Sequence, residues 1–192
     1  MNCIPTELPD VLILEPRVFG DDRGFFYESF NARSFEAATG VKTAFVQDNH
    51  SGSRRGVLRG LHYQIRQAQG KLVTVLVGTI YDVAVDLRRG SASFGRWVGV
   101  HLSAANKRQL WVPAGFGHGF LVLSEFAEFL YKTTDYYAPA HERAIVWNDP
   151  TLAIDWPLPE GFAEPLLSAK DRDGKRLSEA EVFPETFGRG AA

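Results

Sequence analysis

Polar and titratable side chains gather in two strings of otherwise strand-like apolar sequence. One is GVLRGLHYQ at 56–64 with QGKLV at 69–73, and the other is WVPAGFGHGFLVL at 111–123. His62 is the right residue type for proton abstraction, because an imidazole with an unperturbed pKa of about 6.5 is largely neutral at pH 7. Lys71 offers an ammonium that can meet a developing negative charge. In a regular strand Arg59 and His62 point to opposite faces, and Gly60 between them is a position where a bulge can alter that geometry. Both residues also have plainer readings: His62 as a satisfied core histidine, and Lys71 as a strand-edge lysine that guards against aggregation.

The string PAGFGH at 113–118 matches the proline-glycine-histidine half of the metal-binding cupin signature, which belongs to a double-stranded β-helix of the jelly-roll type. A cupin metal needs two histidines and a carboxylate from the first half. Here His62-Tyr63-Gln64 is followed by Ala68 and Gln69, and the nearest charge is Lys71. An ammonium repels a divalent cation, and two nitrogen ligands rarely hold one unaided. No metal and no cofactor are expected, and an organic acid-base set takes their place.

The elements that must position these residues are short apolar or alternating runs broken by Gly, Asn, Asp and Pro, the pattern of antiparallel strands in a sandwich or barrel. Strands are expected at 11–14, 25–30, 44–48, 57–64, 71–77, 79–86, 96–102, 108–112, 119–123, 127–134 and 144–147. Gly78-Thr79 reads as a hairpin or a bulged bend. In IYDVAVDL, Tyr81, Val83, Val85 and Leu87 form one apolar face, opposite Ile80, Asp82, Ala84 and Asp86. A helix is expected at 31–39, capped by Asn31 and ended by Gly40. The proline-rich NDPTLAIDWPLPEGFAEP should wrap the β domain irregularly, a short helix is expected near 178–182, and the final GRGAA should fray. The expectation is one all-β domain spanning 1–192, with a core at about 5–173 and a C-terminal extension at 174–192.

Composition narrows the function classes. The 192 residues carry 21 Lys+Arg against 23 Asp+Glu, so no long-range field draws a polyanion, and nucleic acid is not an expected partner. The single cysteine, Cys3, leaves neither a disulfide framework nor a cysteine zinc site, and fits a reducing compartment. MNCIPTELPDV lacks the continuous apolar stretch of a signal peptide, and no run of apolar residues is long enough to span a membrane. A cytoplasmic protein without a membrane partner is expected.

Asp22 to Glu28 (DRGFFYE), Gln47 to Ser51 (QDNHS), GVLRGLHYQ, QGKLV, WVPAGFGHGFLVLSE, FLYKTTDYYAPAHE and LLSAKD occur in that order between about residues 5 and 173. Together they resemble the dTDP-4-dehydrorhamnose 3,5-epimerase family. The resemblance implies a metal-free, cupin-type jelly roll and a homodimer in which an N-terminal strand joins the partner's sheet. The implied substrate is a dTDP-4-keto-6-deoxyhexose of the rhamnose pathway. Carbons 3 and 5 flank the keto group, so each inversion needs a base, a donor to the enolate oxygen and an acid on the opposite face.

By resemblance His62 is the base, oriented by Asp171; Lys71 stabilises the oxyanion; and Tyr131 is the acid. Arg23 and Arg59 correspond to nucleotide-sugar contacts, as do Glu28, Gln47, Asn49, His118, Glu142 and Lys170, while Phe26 and Tyr137 offer faces for thymine stacking. Blander readings stand beside some of these: Arg23 paired with Asp21 or Asp22 in a turn, His118 as structural support, and Tyr131 as packing. Two other functions fit parts of the pattern. A relative inverting only one carbon would keep His62 and Tyr131, and a non-catalytic nucleotide-sugar-binding jelly roll would explain the arginines but not the acid-base set.

Overall fold

A computed structural model describes residues 1–187. The strands are β1 (Asn2–Pro5), β2 (Leu12–Glu15), β3 (Val18–Asp21), β4 (Gly24–Tyr27), β5 (Gln47–Arg54), β6 (Leu58–Gln64) and β7 (Lys71–Val77). They continue as β8 (Thr79–Asp86), β9 (Trp97–Ser103), β10 (Gln109–Val112), β11 (Phe116–Val122), β12 (Phe126–Thr133) and β13 (Glu142–Ala144). Helix α1 (Ala32–Thr39) precedes β5, and the single turn α2 (Ala169–Arg172) lies in the C-terminal segment.

One sheet runs β1-β2-β10-β7-β12-β5 and the other β13-β6-β11-β8-β9, while β3 and β4 form a separate hairpin. From β5 onward the chain crosses between the sheets at almost every connection, which is the jelly-roll architecture. Gly78 is one of these crossings. It is a bend and not a hairpin, because β7 and β8 belong to different sheets. Its φ is 76°, and a Cβ there would sit 2.1 Å from the Phe126 carbonyl oxygen.

The faces between the sheets are covered, and so is part of each outer face. Between them lie Val73, Val75, Ile80, Val100, Phe120 and Phe129. Outside the five-stranded sheet, Leu58, Val83, Val85 and Leu121 pack against Leu152, Trp156, Leu177 and Phe183 of the C-terminal wrap. Outside the six-stranded sheet, Leu14, Leu72 and Trp111 receive Phe35 from α1. The Ile80-Asp82-Ala84-Asp86 face of β8 is therefore buried along with the apolar one. Asp86 is sustained there by Arg88, Ser91 and Ser93.

Helix α1 starts as its caps dictate: Asn31 Oδ1 accepts from the Arg33 and Ser34 N–H groups, and Gly40 takes the left-handed conformation. The strand expected at 44–48 lies at 47–54 instead, because QDNHSGSR pairs residue for residue with β12 despite its polarity. β1 and β3 were too short and too lightly patterned to anticipate, and form through pairing with β2 and β4. The helix expected near 178–182 is a single 3₁₀ turn at Leu177–Glu179, and GRGAA lies outside the described residues. No helix among the described residues is long and apolar enough to cross a membrane.

Candidate active site

A cavity of about 260 Å³ opens between the sheets and is lined by Arg59, His62, Lys71, His118, Tyr131, Tyr137, Glu142 and Lys170, with Ser51, Gln64 and Gln69 among its other walls. Strand register explains the convergence. His62 stands opposite His118 across β6 and β11, and Lys71 pairs with Thr133, which shares a face of β12 with Tyr131. Glu142 pairs with Gln64, and Tyr131 with Asn49.

Arg59 and His62 would diverge in a regular strand, yet both line the cavity. Their partners on β11, Phe120 and His118, are two residues apart while they themselves are three apart, which is a bulge. Gly60 makes it possible: its φ is 130°, and a Cβ would come within 2.4 Å of the Gly119 Cα.

His62 Nε2 lies 2.7 Å from Asp171 Oδ1, 109 positions along the chain. This close contact sets the imidazole edge against the carboxylate. Asp171 is buried. Burial by itself raises its pKa, but the His62 ring, the Ser168 hydroxyl and the Gly60 N–H together hold the carboxyl well below the usual carboxylate range. A second dyad backs His118, whose Nε2 is 2.6 Å from Asp82 Oδ1. Asp82 is fully buried, and its other oxygen has no hydrogen-bond partner among the described residues.

Lys71 is also buried, its Nζ donating to the His62 carbonyl at 3.4 Å. Desolvation pulls its pKa from 10.5 down to about 8, against the charges of Asp82 and Glu142 that favour the ammonium. Tyr131 is shifted upward, first by burial and then by Glu142, so its phenol keeps its proton at neutral pH. Its ring stacks on Phe129 with centroids 5.7 Å apart. Glu142 is ion-paired with Lys170 and accepts from the Tyr137 hydroxyl at 2.8 Å. Burial opposes ionisation of Glu142, yet these two partners bring its pKa below the ordinary value.

A smaller recess of about 230 Å³ continues past Tyr131 and Tyr137, walled by Gln47, Asn49 and Gln69. Gln47 donates to Asn49 Oδ1 at 2.9 Å and accepts from the Tyr137 N–H at 3.0 Å. Arg23, Phe26 and Glu28 are not brought to the cavity within one copy of the chain. Arg23 is paired with Asp21 on the exposed β3–β4 hairpin, Phe26 is 72% exposed, and Glu28 accepts from Asn31 near the start of α1. Among the described residues, no three His, Cys, Asp or Glu side chains group as metal ligands do.

Sequence reasoning missed two carboxylate partners. Asp82 had a signal, a charged residue on the same strand face as Ile80 and Ala84. Ser168 had one too, as the cap three residues before Asp171 in SAKD.

Known proteins share both sequence and shape with this chain. The sequence profile of the dTDP-4-dehydrorhamnose 3,5-epimerase family matches residues 5–179. A dTDP-4-dehydrorhamnose 3,5-epimerase of Pseudomonas aeruginosa is 70% identical over 184 residues, covering 96% of this chain and 100% of the relative. The crystal structure of a Legionella pneumophila dTDP-6-deoxy-D-glucose-3,5-epimerase, in complex with dTDP-4-keto-L-rhamnose, superposes with a TM-score of 0.90 at 56% identity, covering 94% of each chain. A 3'-monoepimerase from Streptomyces bikiniensis, in complex with dTDP-quinovose, follows at a TM-score of 0.86 and 37% identity, covering 96% of this chain and 92% of the other. A match running through both sheets and the C-terminal turn that carries Asp171 makes this chain a member of the dTDP-4-dehydrorhamnose 3,5-epimerase family.

Proposed function

We propose that the chain inverts carbons 3 and 5 of dTDP-4-dehydro-6-deoxy-D-glucose to give dTDP-4-dehydro-L-rhamnose, with His62, Lys71, Tyr131 and Asp171 as its machinery. The observation that carries the reading is one cavity walled by an imidazole, a buried ammonium and a protonated phenol. Neutral His62 takes the proton from a carbon beside the keto group, and the C–H electron pair moves into the ring to leave an enolate. Lys71 donates a hydrogen bond to the enolate oxygen, where charge develops in a water-poor site. Tyr131 returns a proton to the opposite face, and exchange with solvent resets imidazolium and phenolate. The same steps at the second carbon complete the reaction. Asp171 steadies the imidazolium, the role a carboxylate plays beside a catalytic histidine.

Arg59, Gln47, Asn49, His118, Tyr137, Glu142 and Lys170 serve as substrate contacts in this reading, with the recess beyond Tyr131 taking the nucleotide. The chain works as a homodimer, in which the β3–β4 hairpin presents Arg23 and Phe26, followed by Glu28, to the partner's cavity. Phe19, Phe25 and Phe26 are 50%, 62% and 72% exposed on that hairpin, more apolar area than a short ribbon ordinarily leaves in water. A nucleotide-linked substrate and a single free cysteine suit a cytoplasmic enzyme.

Turnover of the thymidine-linked ketosugar in deuterium oxide, followed by NMR of the product, tests the reaction. Deuterium at both carbons is the expected result, and label at one carbon alone would replace the reading with a single-carbon epimerase.

A further inference from the structure

The two oxygens of Asp171 have separate jobs. Oδ1 accepts from the Gly60 N–H at 3.0 Å and faces His62, while Oδ2 accepts from the Ser168 hydroxyl at 2.5 Å. Ser168 also caps α2, its Oγ accepting from the Asp171 N–H at 3.2 Å. Ser168 and Asp171 are thus locked at both the backbone and the carboxylate. Ser168 itself does not line the cavity.

The carboxylate needs such a lock. The terminal torsion of an aspartate is soft, with broad minima, and α2 is a single turn of four residues with little rigidity of its own. Gly60 holds the same oxygen that serves His62, so it cannot by itself fix the plane about that oxygen. A second anchor on Oδ2 does.

The geometry points to Ser168 as a positioning residue for the epimerase reaction, acting through Asp171 to hold the carboxylate plane on which the His62 imidazole rests. This builds on the assignment of His62 and Asp171 as the base and its partner.

The test compares kcat and KM for Ser168→Ala, Ser168→Gly, Ser168→Thr, Asp171→Asn and the Ser168→Ala/Asp171→Asn double variant, with thermal melts for each. Glycine removes the hydroxyl at little cost to a helix start, so it serves where alanine weakens the fold. A hydrogen bond to a charged group is strong enough for its loss to slow a reaction about 10-fold. The expected result is a fall of about that size in kcat for the alanine and glycine variants, with KM within about twofold of the parent, recovery in the threonine variant, and no further fall when alanine is added to Asp171→Asn. Unchanged kcat in both hydroxyl-free variants overturns the inference, as does a full further fall in the double variant, which would mark the serine as merely structural. Parent-level turnover in Asp171→Asn would instead remove the base-pair assignment, and the inference with it.

Discussion

His62 and His118 are register partners across β6 and β11, and each imidazole is held by a different buried aspartate, His62 by Asp171 at 2.7 Å and His118 by Asp82 at 2.6 Å. The two dyads differ in their surroundings. The side chain of His62 is 25% exposed, open to the cavity, and Asp171 keeps two other donors. His118 is 8% exposed, and among the described residues the second oxygen of Asp82 has no hydrogen-bond partner. The first arrangement suits a group that exchanges protons, and the second suits one that must not move.

His62→Ala and Tyr131→Phe are each expected to keep the fold and lose at least 10²-fold in turnover, the scale of general acid-base catalysis. Circular dichroism and steady-state kinetics on the purified variants check this. Full activity in both would place His62 and Tyr131 outside the acid-base machinery.

Lys71→Met should cost activity and add stability. Loss of a donor to a developing oxyanion slows related reactions by roughly 10²- to 10³-fold. The folded protein releases this proton near pH 8 and the unfolded chain near 10.5, so the buried ammonium opposes folding at neutral pH by up to about 3 kcal/mol. Urea melts of the methionine variant at pH 7 should show a gain within that limit.

The same shift predicts a pH dependence. Turnover should decline as pH rises through about 8, where Lys71 loses its charge. Stability should move the other way: between about 8 and 10.5 the unfolded chain binds the extra proton, so the Lys71 contribution to stability rises with pH. An alkaline limb that persists unchanged in Lys71→Arg would assign it to another group.

Removing His118 strands a buried carboxylate. His118→Ala is expected to destabilise the fold by about 3–5 kcal/mol, the cost of breaking a buried pair from one side. Replacing both members, as in His118→Phe with Asp82→Leu, should cost less. A denaturant series on the single and double variants measures the difference.

If the β3–β4 hairpin serves the partner's cavity, an Arg23→Ala chain and a His62→Ala chain, each weak as a homodimer, should regain activity when refolded together. Every mixed dimer then holds one cavity with both residues native. Activity no higher than the sum of the separate variants would place Arg23 outside the reaction.

Much of this architecture is legible in one dimension, since alternation, glycine breaks and caps report on local backbone preference. Asn31 and Gly40 bounded α1 because capping is a contact within a few residues. The polar β5 was misplaced because its stability comes from the facing strand β12, which its own composition does not record. Arg59 and His62 were expected on opposite faces, and their convergence required a bulge whose partner, Gly119, lies 59 positions away from Gly60.

By itself the sequence determined most of the central strands, the lack of a disulfide framework, and the residue types able to move a proton beside a carbonyl, because these follow from composition and short-range pattern. The ordered strings it carries also implied the family. Which of those side chains meet was decided by the tertiary structure alone. His62 finds Asp171 across more than half the chain, Lys71 gains its lowered pKa only when both sheets exclude water, and Arg23 is left outside the cavity of its own copy. Charge, solvation and distance depend on neighbours in space, and the crossing of strands between two sheets sets those neighbours.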